Sequence, residues 1–124
     1  MIPPLAFTVI GRPIPKARAR SHGKAHYTPH KTRAYERQIA MIALAARAAW
    51  ETDHGVPWPL ARRYGLRLSV YGARANADMS NVLKSVEDGC NGVLWLDDRQ
   101  IDDPHPVRCQ GLPARVEATV EVIG

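Results

Sequence analysis

The chain has 124 residues, 45% of them hydrophobic and 23% charged, with a formal net charge of +5. That length fits one domain over 1–124 and leaves little room for two, and the composition is not that of a disordered chain. The charge is uneven. Residues 1–50 hold nine Lys/Arg and one acid, and residues 51–124 hold eight basic and eleven acidic residues. Such a division suits a polyanion-binding surface beside a place that gathers carboxylates, or else a solvated basic face.

In chain order, LAFTVIG (5–11) alternates as a strand with Leu5, Phe7 and Val9 on one face. Pro13 and Pro15 keep RPIPKARAR extended, so Lys16, Arg18 and Arg20 project to one side at a spacing that can follow a phosphate backbone. Residues 21–31, with Gly23, Lys24 and Pro29, read as a flexible loop. Thr32 is a candidate N-cap for a helix over 33–50 with an apolar stripe of Tyr35, Ile39, Ile42, Ala46, Ala49 and Trp50. Arg47 interrupts that helix, which is too short to span a bilayer. Residues 51–63 read as a loop and 64–72 as a strand with Leu66, Leu68 and Val70 inward.

A second helix opens at Asp78, with Met79, Val82, Val86 and Cys90 as its buried stripe and Asn81, Lys84 and Asp88 on the opposite face. Gly89 and Gly92 break it. Residues 93–106 read as irregular with strand-like pieces, and Val107 and Cys109 start a short strand. ARVEATVEVI (114–123) is the clearest strand, with Val116, Ala118, Val120 and Val122 inward. The expected fold is α+β, a small mixed β-sheet with two main helices packed on it.

Two cysteines outside any CxxC pair point to buried free thiols in a reducing cytosol. MIPPLAF lacks the basic region and apolar core of a signal peptide, so the expected location is cytoplasmic. The five histidines have no zinc-ligand spacing, and the absence of a Gly-rich phosphate loop argues against nucleotide hydrolysis. Trp50, Trp58 and Trp95 read as core or interface residues.

Chemistry concentrates in two segments. Asp78 stands between a strand end and a helix start, where open sheets place their sites. Asp97 and Asp98 follow the same helix and can return beside its start. Clustered carboxylates call for a cation, and hard oxygen donors without a Cys/His set favour Mg²⁺, with Mn²⁺ as the alternative. Lys84 could neutralise charge developing on a phosphate. The competing reading is structural, with Asp78 as a helix cap and the Asp-Asp pairs at 97–98 and 102–103 as turn formers.

DMSNVLKSVED (78–88) followed by WLDDRQI (95–101) resembles the RusA-like Holliday-junction resolvases, whose pattern runs D-x-D-N-x-x-K, an acid four residues on, then W-x-D-D-x-Q. FTVIGRPIPKARAR and YTPHKTRAYE resemble the family's opening, so the likeness covers most of the chain. The resemblance implies a small homodimeric, Mg²⁺-dependent endonuclease, bacterial or phage-encoded, acting on four-way branched DNA in recombination and repair. It implies Asp78, Lys84 and Asp98 as catalytic residues, Asp78, Asp97 and Asp98 as metal ligands, and Asn81 and Asp88 as supporting residues, with Asp103 a lesser acidic match. Lys16, Arg18, Arg20, Lys24 and Arg99 are the expected DNA contacts.

Ser80 departs from the pattern, standing where the family usually has its second aspartate. Three accounts are open: Ser80 holds a water of the ion, Asp97 or Asp88 takes over, or the site is impaired and the protein binds junctions without cutting them well.

Overall fold

In the computed structural model, residues 2–17, 20–22, 25–27 and 30–124 are described, and for 20–22 and 25–27 the backbone alone. The alternation in LAFTVI becomes β1 (Leu5–Ile10), with Leu5, Phe7 and Val9 buried and the residues between them exposed. The expected loop at 21–31 is different. Arg20–His22 (β2) and Ala25–Tyr27 (β3) pair antiparallel, Arg20 opposite Tyr27 and His22 opposite Ala25. Two short polar strands give no apolar alternation to read, and the signal present in sequence was the two-residue Gly-Lys spacer.

The first helix, α1, spans His30–His54 rather than 33–50. Thr32 lies buried inside its first turn, two residues past the helix start. At the other end no Gly or Pro intervenes before Gly55. Thr52 Oγ1 donates to the Ala48 carbonyl at 3.0 Å, and the Gly55 amide donates to Glu51 at 2.8 Å. The core stripe is Tyr35, Ile39, Ala43 and Trp50, with Ile42 and Ala46 partly covered and Ala49 exposed.

β4 (Tyr64–Tyr71) buries Tyr64, Leu66, Leu68 and Val70, and β6 (Arg115–Val122) buries Val116, Ala118 and Val120. Of the segment expected to be irregular, residues 101–106 join the expected strand at Val107 and Cys109 in one longer strand, β5 (Ile101–Cys109), parallel to β4. Pro104 and Pro106 lie within it. They share one parity, and β5 is an edge, so both can turn their missing donors away from the neighbour. The sheet order is β1-β6-β4-β5, antiparallel except for β4-β5. The fold is therefore α+β, with two helices and a four-stranded mixed sheet.

Both helices pack on the sheet and on each other, α1 against β1 and α2 (Met79–Gly89) against β5. Beneath them Trp50, Trp58, Tyr64 and Trp95 form a chain of rings with centroids 5.5, 5.6 and 6.1 Å apart, so all three tryptophans serve the core. Cys90 is fully buried, whereas Cys109 is half-buried at the end of β5, contrary to the expected burial of both. No helix among the described residues is long and apolar enough to cross a membrane.

Gly72 controls how the chain leaves β4 toward the site. Its φ is +74°, and a Cβ there would stand 2.5 Å from the Ala114 Cβ, so only glycine turns so close to the start of β6.

Candidate active site

Asp78 caps α2, as either reading required. Its Oδ1 accepts the Ser80 amide at 2.9 Å and the Ser80 hydroxyl at 2.6 Å. The hydroxyl bond foremost, then the amide bonds of Ser80 and Asn81, outweigh burial and hold the Asp78 carboxyl below its ordinary 3.8. Ser80 thus supports Asp78 directly, a role the sequence reading did not anticipate for it.

Asp97 and Asp98 reach the site because their neighbours are anchored. Trp95 is fully buried and donates its indole N–H to the Glu87 carbonyl of α2 at 3.1 Å. Asp97 caps a 3-10 turn, Asp98–Gln100, and its Oδ1 accepts the Arg99 amide at 2.9 Å. The Gln100 side chain accepts from the Leu96 and Asp97 amides and donates to the carbonyls of Leu60 and Arg62 at 2.8 and 2.9 Å. The Trp and Gln of the W-x-D-D-x-Q pattern therefore hold the two aspartates between them.

Lys84 Nζ joins the two segments, 2.7 Å from Asp98 Oδ2 and 3.4 Å from Asp88 Oδ1. Lys16 Nζ extends the chain of charges, 3.1 Å from Asp88 Oδ2 and 2.6 Å from Glu36 Oε2. Signs alternate along Glu36, Lys16, Asp88, Lys84 and Asp98, from α1 across the N-terminal arm and α2 to the 3-10 turn. Asp98 is held below 3.8 chiefly by its hydrogen bond from Lys84, and Lys84 above 10.5 chiefly by that same bond. Burial pushes Lys16 down, but its hydrogen bonds to Glu36 and Asp88 carry it above 10.5. Beside them the Glu87 carboxyl is raised by burial, against the pull of Lys84.

Lys84, Asp88 and Asp98 come together, whereas the sequence reading had Asp97 and Asp98 returning beside Asp78 at the helix start. Asp78 stands apart, six residues or about 9 Å of helical rise from Lys84. Among the described residues no three His, Cys, Asp or Glu stand close enough to hold one ion. Each of the three proposed ligands has local work, two as caps and one in the ion pair with Lys84. Asp103 lies 2.8 Å from His105 and Asp102 3.5 Å from Arg63, both on β5.

Of the expected DNA contacts, Arg99 is exposed beside Asp97, and Lys16 is engaged with two carboxylates. Arg18 and Lys24 lie outside the described residues, as does the side chain of Arg20. Sequence reasoning missed Glu36 and Glu87. It also missed a cavity of about 350 Å³ beside Asp78, lined in part by Arg12, Lys31 and Arg74. The run ARANAD before the helix was a visible cue to the cavity; Glu36, twenty residues from Lys16, gave none.

No curated protein matches the chain. The family described as Endodeoxyribonuclease RusA matches residues 11–121, a span that holds both motif segments, the Lys84–Asp98 pair and nearly the whole fold. The family is one of DNA endonucleases that resolve junctions, and the chain belongs to it, the RusA endodeoxyribonuclease family.

Proposed function

We propose that the protein is a divalent-cation-dependent endonuclease, bacterial or phage-encoded, that binds four-way DNA junctions as a homodimer and resolves them by paired nicks in the bacterial cytoplasm. The observation that carries this reading is the 2.7 Å contact of Lys84 with Asp98, which ties the two halves of the family pattern into one site.

The donor set fits a hard cation. Asp78, Asp97 and Asp98 offer carboxylate oxygens, with no thiolate or imidazole among them. Mg²⁺ commonly uses one or two carboxylates together with substrate phosphate and water, so a cage of three protein acids is not required. A cation held there would supply Lewis acidity for a water nucleophile and the leaving oxygen. The protein's own part is to keep Asp78 and Asp98 ionised, and to aim the Lys84 ammonium at the charge that grows on the phosphate. The basic N-terminal half supplies phosphate contacts that give affinity and register.

The outer face of α1 supports a dimer. Met41, Leu44, Ala45 and Ala48 are exposed opposite the core stripe, at i, i+3, i+4 and i+7. A helix apolar on both faces calls for a cover on the second. A two-fold dimer matches the approximate two-fold symmetry of a four-way junction and supplies two equivalent sites.

The test is cleavage of a labelled four-way junction, with linear duplex alongside, in Mg²⁺ and then in EDTA. Paired nicks in the junction alone, lost in EDTA, are expected. A second reading, a junction-binding protein that cuts poorly, is favoured by the neutral Ser80 and by the lack of a three-acid group among the described residues. Tight binding without nicks in Mg²⁺ or Mn²⁺, and cutting restored by Ser80→Asp, would establish it in place of the first.

A further inference from the structure

The cavity beside Asp78 is built from four separate stretches of chain. The Arg12–Pro15 segment after β1 forms one wall, the first turn of α1 brings Lys31, the turn after β4 brings Arg74 and Asn76, and α2 brings Asp78 and Asn81. Its walls are braced. Ser85 Oγ donates to the Ile14 carbonyl at 2.7 Å, and the Lys16 amide to the Asn81 carbonyl at 2.8 Å, so the proline segment is fastened to α2. Arg108 reaches from β5 to the carbonyls of Arg74 and Ala77 at 3.2 and 2.7 Å and fixes the opposite turn. The volume, about 350 Å³, is in the range of a small-ligand site.

The lining divides by chemistry. Three cations, Arg12, Lys31 and Arg74, face one carboxylate, Asp78. Pro13, Ile14 and Pro15 give an apolar wall, and Asn76 and Asn81 carry amides that can both donate and accept. Cations for a phosphate, an apolar surface for a base, and amides for a base edge describe a nucleotide. A base inside a duplex stack cannot enter a pocket; one freed from its stack can. Branched DNA offers such bases at the branch point, and Asp78 places the pocket against the carboxylate assigned to the reaction.

We infer that this cavity receives a single unstacked nucleotide of the branched substrate, next to the phosphate to be cut. The inference rests on the junction-endonuclease reading. Arg12, Arg74 and Lys31 hold the phosphates of that nucleotide, and its base lies against the Pro13–Pro15 wall. Selection of branched over linear DNA then comes in part from the local unstacking that only the branch supplies at low cost.

The test uses a four-way junction carrying 2-aminopurine at successive positions through the branch point, titrated with the whole protein in EDTA. Binding is followed by the anisotropy of an end-attached dye, and cutting in a parallel sample with Mg²⁺. One position is expected to brighten at least about twofold on binding, as an unstacked base does, and to become protected from acrylamide quenching. Arg12→Ala and, separately, Arg74→Ala with Asn76→Ala change exposed side chains on different segments. Each should abolish the protection and lower the slope of log affinity against log salt by roughly one per lost phosphate contact. Weaker binding with the protected base unchanged means that the cavity grips backbone phosphate only, and overturns the inference. A junction bound and cut with no position brightened or protected overturns it while leaving the junction reading intact. A junction neither bound nor cut takes down both.

Discussion

Ser80 gives both its amide and its hydroxyl to one oxygen of Asp78. Where the family usually has a second aspartate, which would stand against Asp78 and raise its pKa, the Ser80 hydroxyl lowers it. Ser80→Ala removes the hydroxyl bond and keeps the amide bond. Cleavage near neutral pH should fall by less than about tenfold, the scale of one hydrogen bond, while the acid limb of the pH–rate profile moves up. A profile identical to wild type would show that the hydroxyl does not tune Asp78. Lys84→Met is more severe. It removes the cation between Asp88 and Asp98, and cutting should drop about 10²–10³-fold with junction affinity little changed. Its stability signature follows from the shifts. Asp98 is depressed below its unfolded 3.8, so its share is present above that value and lost as pH falls through the lower folded one. Lys84 is raised above 10.5, so its share is full below that value and lost as pH climbs through the higher folded one. The Tm gap between wild type and Lys84→Met should therefore be widest between these limits and close on acidification; a gap independent of pH would separate Lys84 from Asp98.

At the scale of elements, α1 and α2 meet through Gly89. A Cβ there would lie 2.8 Å from Ile39 Cγ2 and 3.1 Å from the Glu36 carbonyl. The sequence reading took Gly89 for a helix breaker, but it is the last residue of α2, and Cys90 forms the C-cap. Gly89→Ala would favour the helix intrinsically, yet should destabilise the protein by about 1–3 kcal/mol through overpacking, measured by denaturant unfolding. The same crossing brings Glu36 to Lys16, whose side chain is only 23% exposed. Lys16→Met leaves Glu36 and Asp88 without their shared cation and should cost about 1–3 kcal/mol. It should slow cutting through Asp88 and Lys84 while leaving the salt slope of junction binding unchanged, whereas a phosphate-contacting lysine would lower that slope. What was legible in sequence follows the same physics. β1, β4 and β6 each bury one face, so their alternation was readable, and α2 announced itself by its cap and stripe. β5 hid behind prolines that only an edge position tolerates, and the hairpin behind polar residues. The grouping of Lys84 with Asp88 was one helical turn and visible; the reach of Lys16 to Glu36 and Asp88 depends on how α1 crosses α2, which no local pattern encodes.

For the molecule as a whole, the proposed dimer rests on the outer face of α1. Met41 is 73% exposed and Leu44 46%, next to Ala45 and Ala48. The other apolar face of α1 is used up by the core, and the uncovered sheet face is mixed, with Arg67, Thr119 and Glu121 on its middle strands and the exposed Ile10 and Val107 on its two edges. A second copy laid along α1 would bury these side chains across a two-fold axis, each residue meeting its counterpart or a neighbour. Met41→Glu puts a carboxylate at that axis, facing another in the partner at short range, a desolvated like-charge pair that costs several kcal/mol and leaves the exposed face of an isolated chain unstrained. Sedimentation should give a dimer for the wild type and a monomer for Met41→Glu, with equal Tm at low concentration if the fold is untouched. The monomer keeps Asp78, Lys84 and Asp98 within one chain, so it should still nick a junction, but on one strand at a time. Supercoiled plasmid carrying an extruded cruciform separates the two cases: paired nicks within one binding event yield linear product, and single nicks yield relaxed circles. A dimeric Met41→Glu would place the interface elsewhere. A monomeric wild type that still linearises the cruciform plasmid would remove the need for two sites.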